Sequence, residues 1–278
     1  MPPRPSPGTL RLPTVRHVPL SAPFHWLALG WRDLWRCGAR SLLHGVALAA
    51  IGALLLWLAR NHFWLLAGAF SGFLVVAPVL ATSLYALSRA LERGEPAHWS
   101  AIRKTWTRWQ YSRFAVHGGY WSLVRFGLLL SLAGTGWVLT SAALITALAP
   151  APVNTPADFL RHVVMSNHGY LFELWLIMGA LMAAPLFASS VVSMPLLLDR
   201  RVDVLQAVLT SWQTVLTNPA PMALWAALIM GLTLLGMATA LIGLVLVLPW
   251  LGHASWHAYR ALVDVSTLPE RLPPEGGR

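Results

Sequence analysis

A single cysteine, Cys37, excludes any internal disulfide and any metal cage built from several thiolates. Charge is scarce as well. Asp, Glu, Lys and Arg make up 11% of the 278 residues, less than half of the roughly 25% with which soluble domains cover their surfaces. A chain this short of charge must turn much of its surface to lipid. Acidic residues are rarer than basic ones, 10 against 20, so any partner attracted by charge is an anion. No phosphate-cradling glycine loop, no GxSxG nucleophile turn, no HExxH and no pair of carboxylates inside an apolar run is present. The residue patterns of common hydrolases, nucleotide enzymes and primary pumps are therefore missing.

What the chain has in quantity is long apolar runs. They cover 41–59, 63–86, 126–149, 171–198, 221–238 and 240–259. A spanning helix needs about 20 mostly apolar residues, and the composition is 56% hydrophobic. The expectation is an all-α membrane protein with six transmembrane helices arranged as three helical hairpins. The polar break between the last two runs is minimal, near 239.

Charge orients these runs. Of the 20 Lys and Arg, 18 fall in 1–40, 87–125, 199–219 and 260–278. Only Arg60 and Arg161 fall on the other side. By the positive-inside rule both termini are cytoplasmic. The same distribution argues against nucleic acid as the partner of the basic residues. Residues 1–20, rich in Pro and Arg, read as a disordered cytoplasmic arm. The membrane domain then covers 21–264, and 265–278 form a cytoplasmic tail.

Three cytoplasmic segments have helical periodicity. In 21–36, Ser21 suits a cap and Pro23 a first turn. Phe24, Leu27, Trp31 and Leu34 make the apolar stripe, and Asp33 pairs with Arg36 at i,i+3. In 98–113 the stripe is Trp99, Ile102, Trp106 and Trp109, with Arg103, Lys104 and Arg108 lying off it. This is the composition of a helix in the headgroup layer, drawn to anionic lipid. A third segment, AVLTSW, ends at Trp212. Each precedes a straight apolar run and then a run with an internal proline: Pro78, Pro195 and Pro249. The unit of interfacial helix, straight span and proline-bent span would thus occur three times.

The stretches HWLALGWRDLWR, GFLVVAPVLATSLYALSRALERGE and PWLGHASWHAYRALV resemble the domain of unknown function 2189 family of predicted bacterial integral membrane proteins. The resemblance covers the first hairpin, the last two runs and DRRVDVLQAVLTSWQTVLTN. Residues 98–170 are less recognisable. It implies a membrane fold and brings no catalytic residue and no cofactor.

Candidate sites are few. His253 and His257, at i,i+4, share one helix face, and His44 reaches a similar depth from the first span. Such residues form a polar cluster or, alternatively, hold a metal or haem. No carboxylate or thiol completes a metal set, so no metal or other cofactor is assigned. Glu173 opens the fourth span, and Gly68 with Gly72 form a GxxxG, a close-packing motif compatible with a homodimer. Arg89, Glu92 and Arg93 before Gly94 read as a helix end-cap, and Asp199 to Asp203 as a mixed-charge turn. The functional expectation is a non-enzymatic scaffold, assembly factor or lipid-interacting partner of a membrane complex. A small-solute or lipid transporter is the alternative, with Thr140, Ser141, Ser189, Ser190 and Ser193 as its chief polar groups at mid-depth.

One outcome follows from the basic face alone. A peptide of residues 98–113 with Arg103, Lys104 and Arg108 replaced by Gln should bind anionic vesicles more weakly, and with less salt sensitivity, than the parent peptide. Vesicle co-sedimentation over a salt series reads this directly, and unchanged binding would reduce the basic face to a solvated surface.

Overall fold

The computed structural model describes residues 12–59, 81–111, 121–166 and 169–271. It is helical apart from one two-residue strand pair. Strand β1 is Thr14–Val15, followed by α1 (Ala22–Cys37) and α2 (Ala39–Ala59). Helix α3 is described over 81–92. Then come α4 (Trp99–Tyr111), α5 (Trp121–Leu148), α6 (Pro156–Phe159) and one π-turn at Leu160–Val164. Helices α7 (Leu171–Ser190), α8 (Ser193–Asp199), α9 (Val204–Thr217), α10 (Pro219–Ala238) and α11 (Leu244–Leu262) follow, and strand β2 is Val263–Asp264.

Among the described residues four helical stretches are long and apolar enough to cross a membrane: Ala39–Leu58, Leu123–Leu148, Leu171–Asp199 and Pro219–Ala238. They make this an integral membrane protein with several apolar helices. Of the two other expected spans, most of 63–86 lies outside the described residues, together with Pro78, Gly68 and Gly72. The other is α11, whose second half carries His253, His257 and Arg260 and so lowers its overall hydropathy. A fused 221–259 helix is not what forms. Thr239 accepts the Gly243 N–H and donates to the Gly236 carbonyl, at 2.7 and 2.8 Å. This holds Ala240 and Leu241 at positive φ and folds α11 back along α10.

Helix α11 is the hub. It packs on α1, α2 and α10, and its Leu251, Gly252, His253, Ala254, Trp256, Ala258, Tyr259 and Leu262 are buried. The approach of backbone to backbone is close enough to require glycine. A Cβ on Gly30 would lie 2.5 Å from the Ala254 nitrogen, and one on Gly45 would overlap the Val245 carbonyl. Trp26 and Trp225 meet edge to face at 5.6 Å in the adjoining core, where each ring is about 1% exposed.

Of the two prolines in the fourth apolar run, Pro185 is accommodated inside α7, whereas Pro195 marks a break. Pro195 has no N–H for the Val191 carbonyl, and its ring crowds that oxygen. The helix breaks at 191–192 between α7 and α8. Hydroxyls bind backbone groups around the break: Ser190 donates to the Leu186 carbonyl at 2.8 Å, and Ser193 to the Ala207 carbonyl at 3.1 Å. Pro249, by contrast, is accommodated inside α11.

Among the described residues, an amphipathic helix, an apolar helix without internal proline and a proline-containing run follow one another in α4–α5–α7/α8 and in α9–α10–α11; of the first unit, α1, α2 and the end of α3 are described. Packing is cyclic in the same sense. Helix α9 lies on α7 and α8 of the preceding unit. Ile102 of α4 packs on the cluster containing Leu87 and Ala90 of α3. Helix α1 lies on α11, which closes the ring.

The terminal arms differ from expectation. Thr14 pairs with Asp264 and Val15 with Val263 in an antiparallel pair. Asn218 accepts the Val18 N–H and donates to the Arg16 carbonyl, at 2.9 and 3.0 Å. The tail is fastened too, through Arg201 N–H to the Pro269 carbonyl and Arg271 N–H to the Asp199 carbonyl. Backbone pairing thus orders 14–18, which composition alone had assigned to a disordered arm, and fastens 265–271 of the expected tail.

Replacing Gly45 with Val should force α2 from α11 and cost about 2–3 kcal/mol, the scale of core overpacking. Thermal unfolding in detergent against wild type measures it, with Gly127, which has open space around it, changed to Ala as the tolerated control.

Candidate functional site

The candidate site is a chain of hydrogen bonds where α1, α2, α3 and α11 meet. Asp33 of α1 is 2% exposed. Its Oδ2 accepts from Ser88 Oγ of α3 at 2.8 Å and from His257 Nε2 of α11 at 2.8 Å. Ser88 has one proton, and the carboxylate takes it. Its oxygen is left to accept from His253 Nδ1, 2.7 Å away. With Nδ1 protonated, the neutral ring presents Nε2 as an acceptor, and Ser41 Oγ of α2 donates to it at 2.7 Å. The thiol of Cys37 continues the chain to Ser41. Burial pushes that thiol up to about 11, against the lowering effect of its Ser41 bond, so it stays protonated. Ser41, Ser88 and His253 are all fully buried.

Local geometry explains why these residues meet. Asp33, Gly30 and Cys37 lie on one face of α1, and that face is set against α11 by the Gly30 contact. A one-residue link, Gly38, joins α1 to α2 and brings Ser41 beside the same stretch of α11. Burial raises the Asp33 carboxyl, but the His257 hydrogen bond and charge, together with the Ser88 bond, hold it below the usual carboxylate range.

Of the three histidines read from the sequence, two enter this chain. His44 is also buried, one turn past Ser41 on α2, but its Nδ1 donates to the Arg40 carbonyl at 2.7 Å. Ser41 makes the α2 contact to His253 instead. Asp33, Ser41 and Ser88 were not singled out as site residues. Asp33 does not pair with Arg36, which is exposed, because its face of α1 is turned inward. Among the described residues no group of three or more His, Cys, Asp or Glu is placed to hold a metal ion.

A second network lies at the same end of the bundle. Asp199, 2% exposed, accepts from Tyr259 Oη and Arg200 Nε, both at 2.9 Å. Arg93 stands 3.7 Å from it and bonds Glu270 at 3.0 Å. Glu92 accepts from Trp256 Nε1 and Arg260 Nε, both at 2.8 Å. The supposed end-cap and mixed-charge turn are therefore parts of one clasp between α3, α8, α11 and the tail. Gly94 does cap α3, at φ 68°. Sequence offers one signal for the clasp and the chain alike. The fourth residue after each proline is Thr82, Asp199 and His253, and all three are buried.

The remaining candidates lie apart from these networks. Arg103 is exposed and Lys104 half-buried on α4, while the Arg108 side chain is outside the described residues. Glu173 is exposed in the first turn of α7, at the opposite end of the bundle. The stripe expected on α1 is split: Leu27 and Leu34 are buried, whereas Phe24 and Trp31 are exposed with Trp35.

Residues 65–199 match the model of the family described as predicted integral membrane protein, domain of unknown function 2189. The matched region takes in 72–95 and the less recognisable 98–170. The stretches 25–36 and 249–263, which also suggested the family, lie outside it. No curated protein and no solved structure matches the chain.

Replacing Ser41 with Ala removes the donor to His253 Nε2 and should cost about 1–3 kcal/mol, the penalty of an unsatisfied buried acceptor. Replacing Asp33 with Ala should cost more, about 3–5 kcal/mol, because it strips a buried pair of one member. Since the folded carboxyl of Asp33 lies below its unfolded value, its contribution is full above the ordinary carboxylate range and fades as pH falls through the folded value. Unfolding measured from neutral to acid pH should show that loss in wild type and less of it in Asp33→Asn.

Proposed function

We propose that the chain is a six-span bundle of the bacterial inner membrane, with both termini cytoplasmic, that acts as a non-enzymatic scaffold in contact with anionic lipid and with a membrane-protein partner. The observation that carries this reading is the clasp. Arg93, Asp199, Arg200, Tyr259 and Glu270, with Glu92, Trp256 and Arg260, tie α3, α8, α11 and the tail together at one end of the bundle. A structure bolted in this way presents a fixed platform. Alternating access requires each end to open in turn, and the clasp opposes that at this end.

The polar residues that would line a transport path are engaged locally. Thr140 donates to the Gly136 carbonyl at 2.9 Å, and Ser141 accepts from Trp175 Nε1 at 2.6 Å. Ser189 accepts from Trp212 Nε1 at 2.9 Å, and Ser190 and Ser193 bind backbone carbonyls. The Ser141, Ser189 and Ser193 bonds join helices, and these engagements support the scaffold reading over the transporter. His253 and His257 are likewise satisfied by hydroxyls and a carboxylate, the chemistry of a structural cluster.

Reporter fusions test the topology on which the reading rests. A periplasm-active reporter after residue 278 should be silent, and one inserted near 155 active. An active fusion after 278 would remove the six-span arrangement and, with it, the cytoplasmic platform.

A further inference from the structure

Helix α9 is amphipathic in an inverted sense: the face it turns to the protein is small or polar, and the face it turns outward is apolar. Helix α1 buries a mixed face, with Trp26, Leu27 and Leu34 beside Gly30 and Asp33, and it too turns an apolar stripe outward. On α9 the buried positions are Ala207, Thr210, Ser211 and Thr214. The exposed ones include Leu205, Leu209, Trp212 and Leu216, at 59, 40, 38 and 73%. Their spacings of four, three and four make one stripe. On α1 the outward stripe is Phe24, Ala28, Trp31 and Trp35, with the same spacings. Counting from Trp31 and Trp212, the buried positions of the two helices coincide: Trp26 with Ala207, Gly30 with Ser211, Asp33 with Thr214.

We infer that both helices are embedded in the leaflet next to the clasp, with acyl chains against their outward stripes, and that on α1 alone Arg32 and Arg36 hold anionic phospholipid head groups. This deepens the lipid-interacting part of the proposed function and rests on it. Three observations select lipid as the occupant. First, each helix leads through a single residue, Gly38 or Asn218, into a membrane-crossing helix. Second, exposed Leu43 and Val46 continue the apolar surface onto α2, whose outward side faces acyl chains. Third, Arg32 and Arg36 are exposed beside the α1 stripe and take part in none of the ion pairs among the described residues. Helix α9 has no charged residue at all. Its embedding is therefore indifferent to headgroup charge, whereas that of α1 responds to it.

Spin labels in the full chain test the two halves separately. In a Cys37→Ala background, single cysteines replace Phe24, Trp35, Leu209 and Leu216, and the protein is reconstituted in phosphatidylcholine vesicles with and without phosphatidylglycerol. All four labels should be relaxed by oxygen and shielded from a water-soluble nickel relaxant. Phosphatidylglycerol should shift the labels at 24 and 35 deeper and leave those at 209 and 216 where they are. Arg32→Gln with Arg36→Gln should abolish that shift. Labels open to nickel would show a solvated face, and labels shielded from both relaxants would show a protein covering it. Either result overturns the inference, as does an equal response of α1 and α9 to phosphatidylglycerol. Depth is read irrespective of which side of the membrane the helices occupy, so a failure of the six-span topology in reporter fusions remains separate from a failure here.

Discussion

A carboxylate buried at the meeting of four helices must be met by donors, and much of the architecture around α11 follows from that requirement. Leaving Asp33 without partners in a low-dielectric interior would cost several kcal/mol. Its partners come from α3 and α11, and theirs from α2. Each hydroxyl and each ring nitrogen in the chain has one remaining role once its neighbour's is settled. The network therefore specifies a rotational setting of α1 against α11, and with it which face of α1 points outward. The glycine contacts at Gly30 and Gly45 supply the closeness; the hydrogen bonds supply the direction.

That rotation is the reason the outer surface of α1 was read only partly from periodicity. A stripe containing Phe24, Leu27, Trp31 and Leu34 is apolar, and apolarity alone does not say whether protein or lipid receives it. The protein takes Leu27 and Leu34, and the outside receives Phe24, Trp31 and Trp35. Inside a membrane the hydrophobic effect does not sort faces into buried and exposed, so small and polar residues mark the packed side instead. On α9 that signal was present as Ala207, Thr210, Ser211 and Thr214.

Other features were legible because their chemistry is local. Long apolar runs, the break before Pro195, the Gly94 cap and the order of elements in three similar units all depend on neighbours in sequence. The site depended on contacts across more than 200 residues, such as Ser41 with His253 and His257 with Asp33. Histidines drew attention because an ionisable ring in an apolar run is costly. Serines did not, since hydroxyls in membrane helices commonly bond their own backbone, as Thr140 and Ser190 do here. The pairing of 14–18 and 265–271 escaped the sequence for a related reason: a two-residue strand pair and a few backbone bonds leave almost no compositional trace.

The three units also bear on whether the chain through Asp33 is required by the fold. At the α9 interface the position matching Asp33 is Thr214, which donates to the Thr210 carbonyl, and the position matching Gly30 is Ser211, which accepts the Val192 N–H. Hydroxyls suffice there to seat an interfacial helix on a bent span. The α1 interface performs the same mechanical task with a carboxylate and two imidazoles, at greater desolvation cost. What the ionisable set adds is direction and strength in the one unit whose outer face also carries Arg32 and Arg36. On the proposed embedding, a helix that lipid charge pulls from outside would need a firmer hold from inside than one that only acyl chains touch, and α1 carries the ionisable set where α9 has hydroxyls alone.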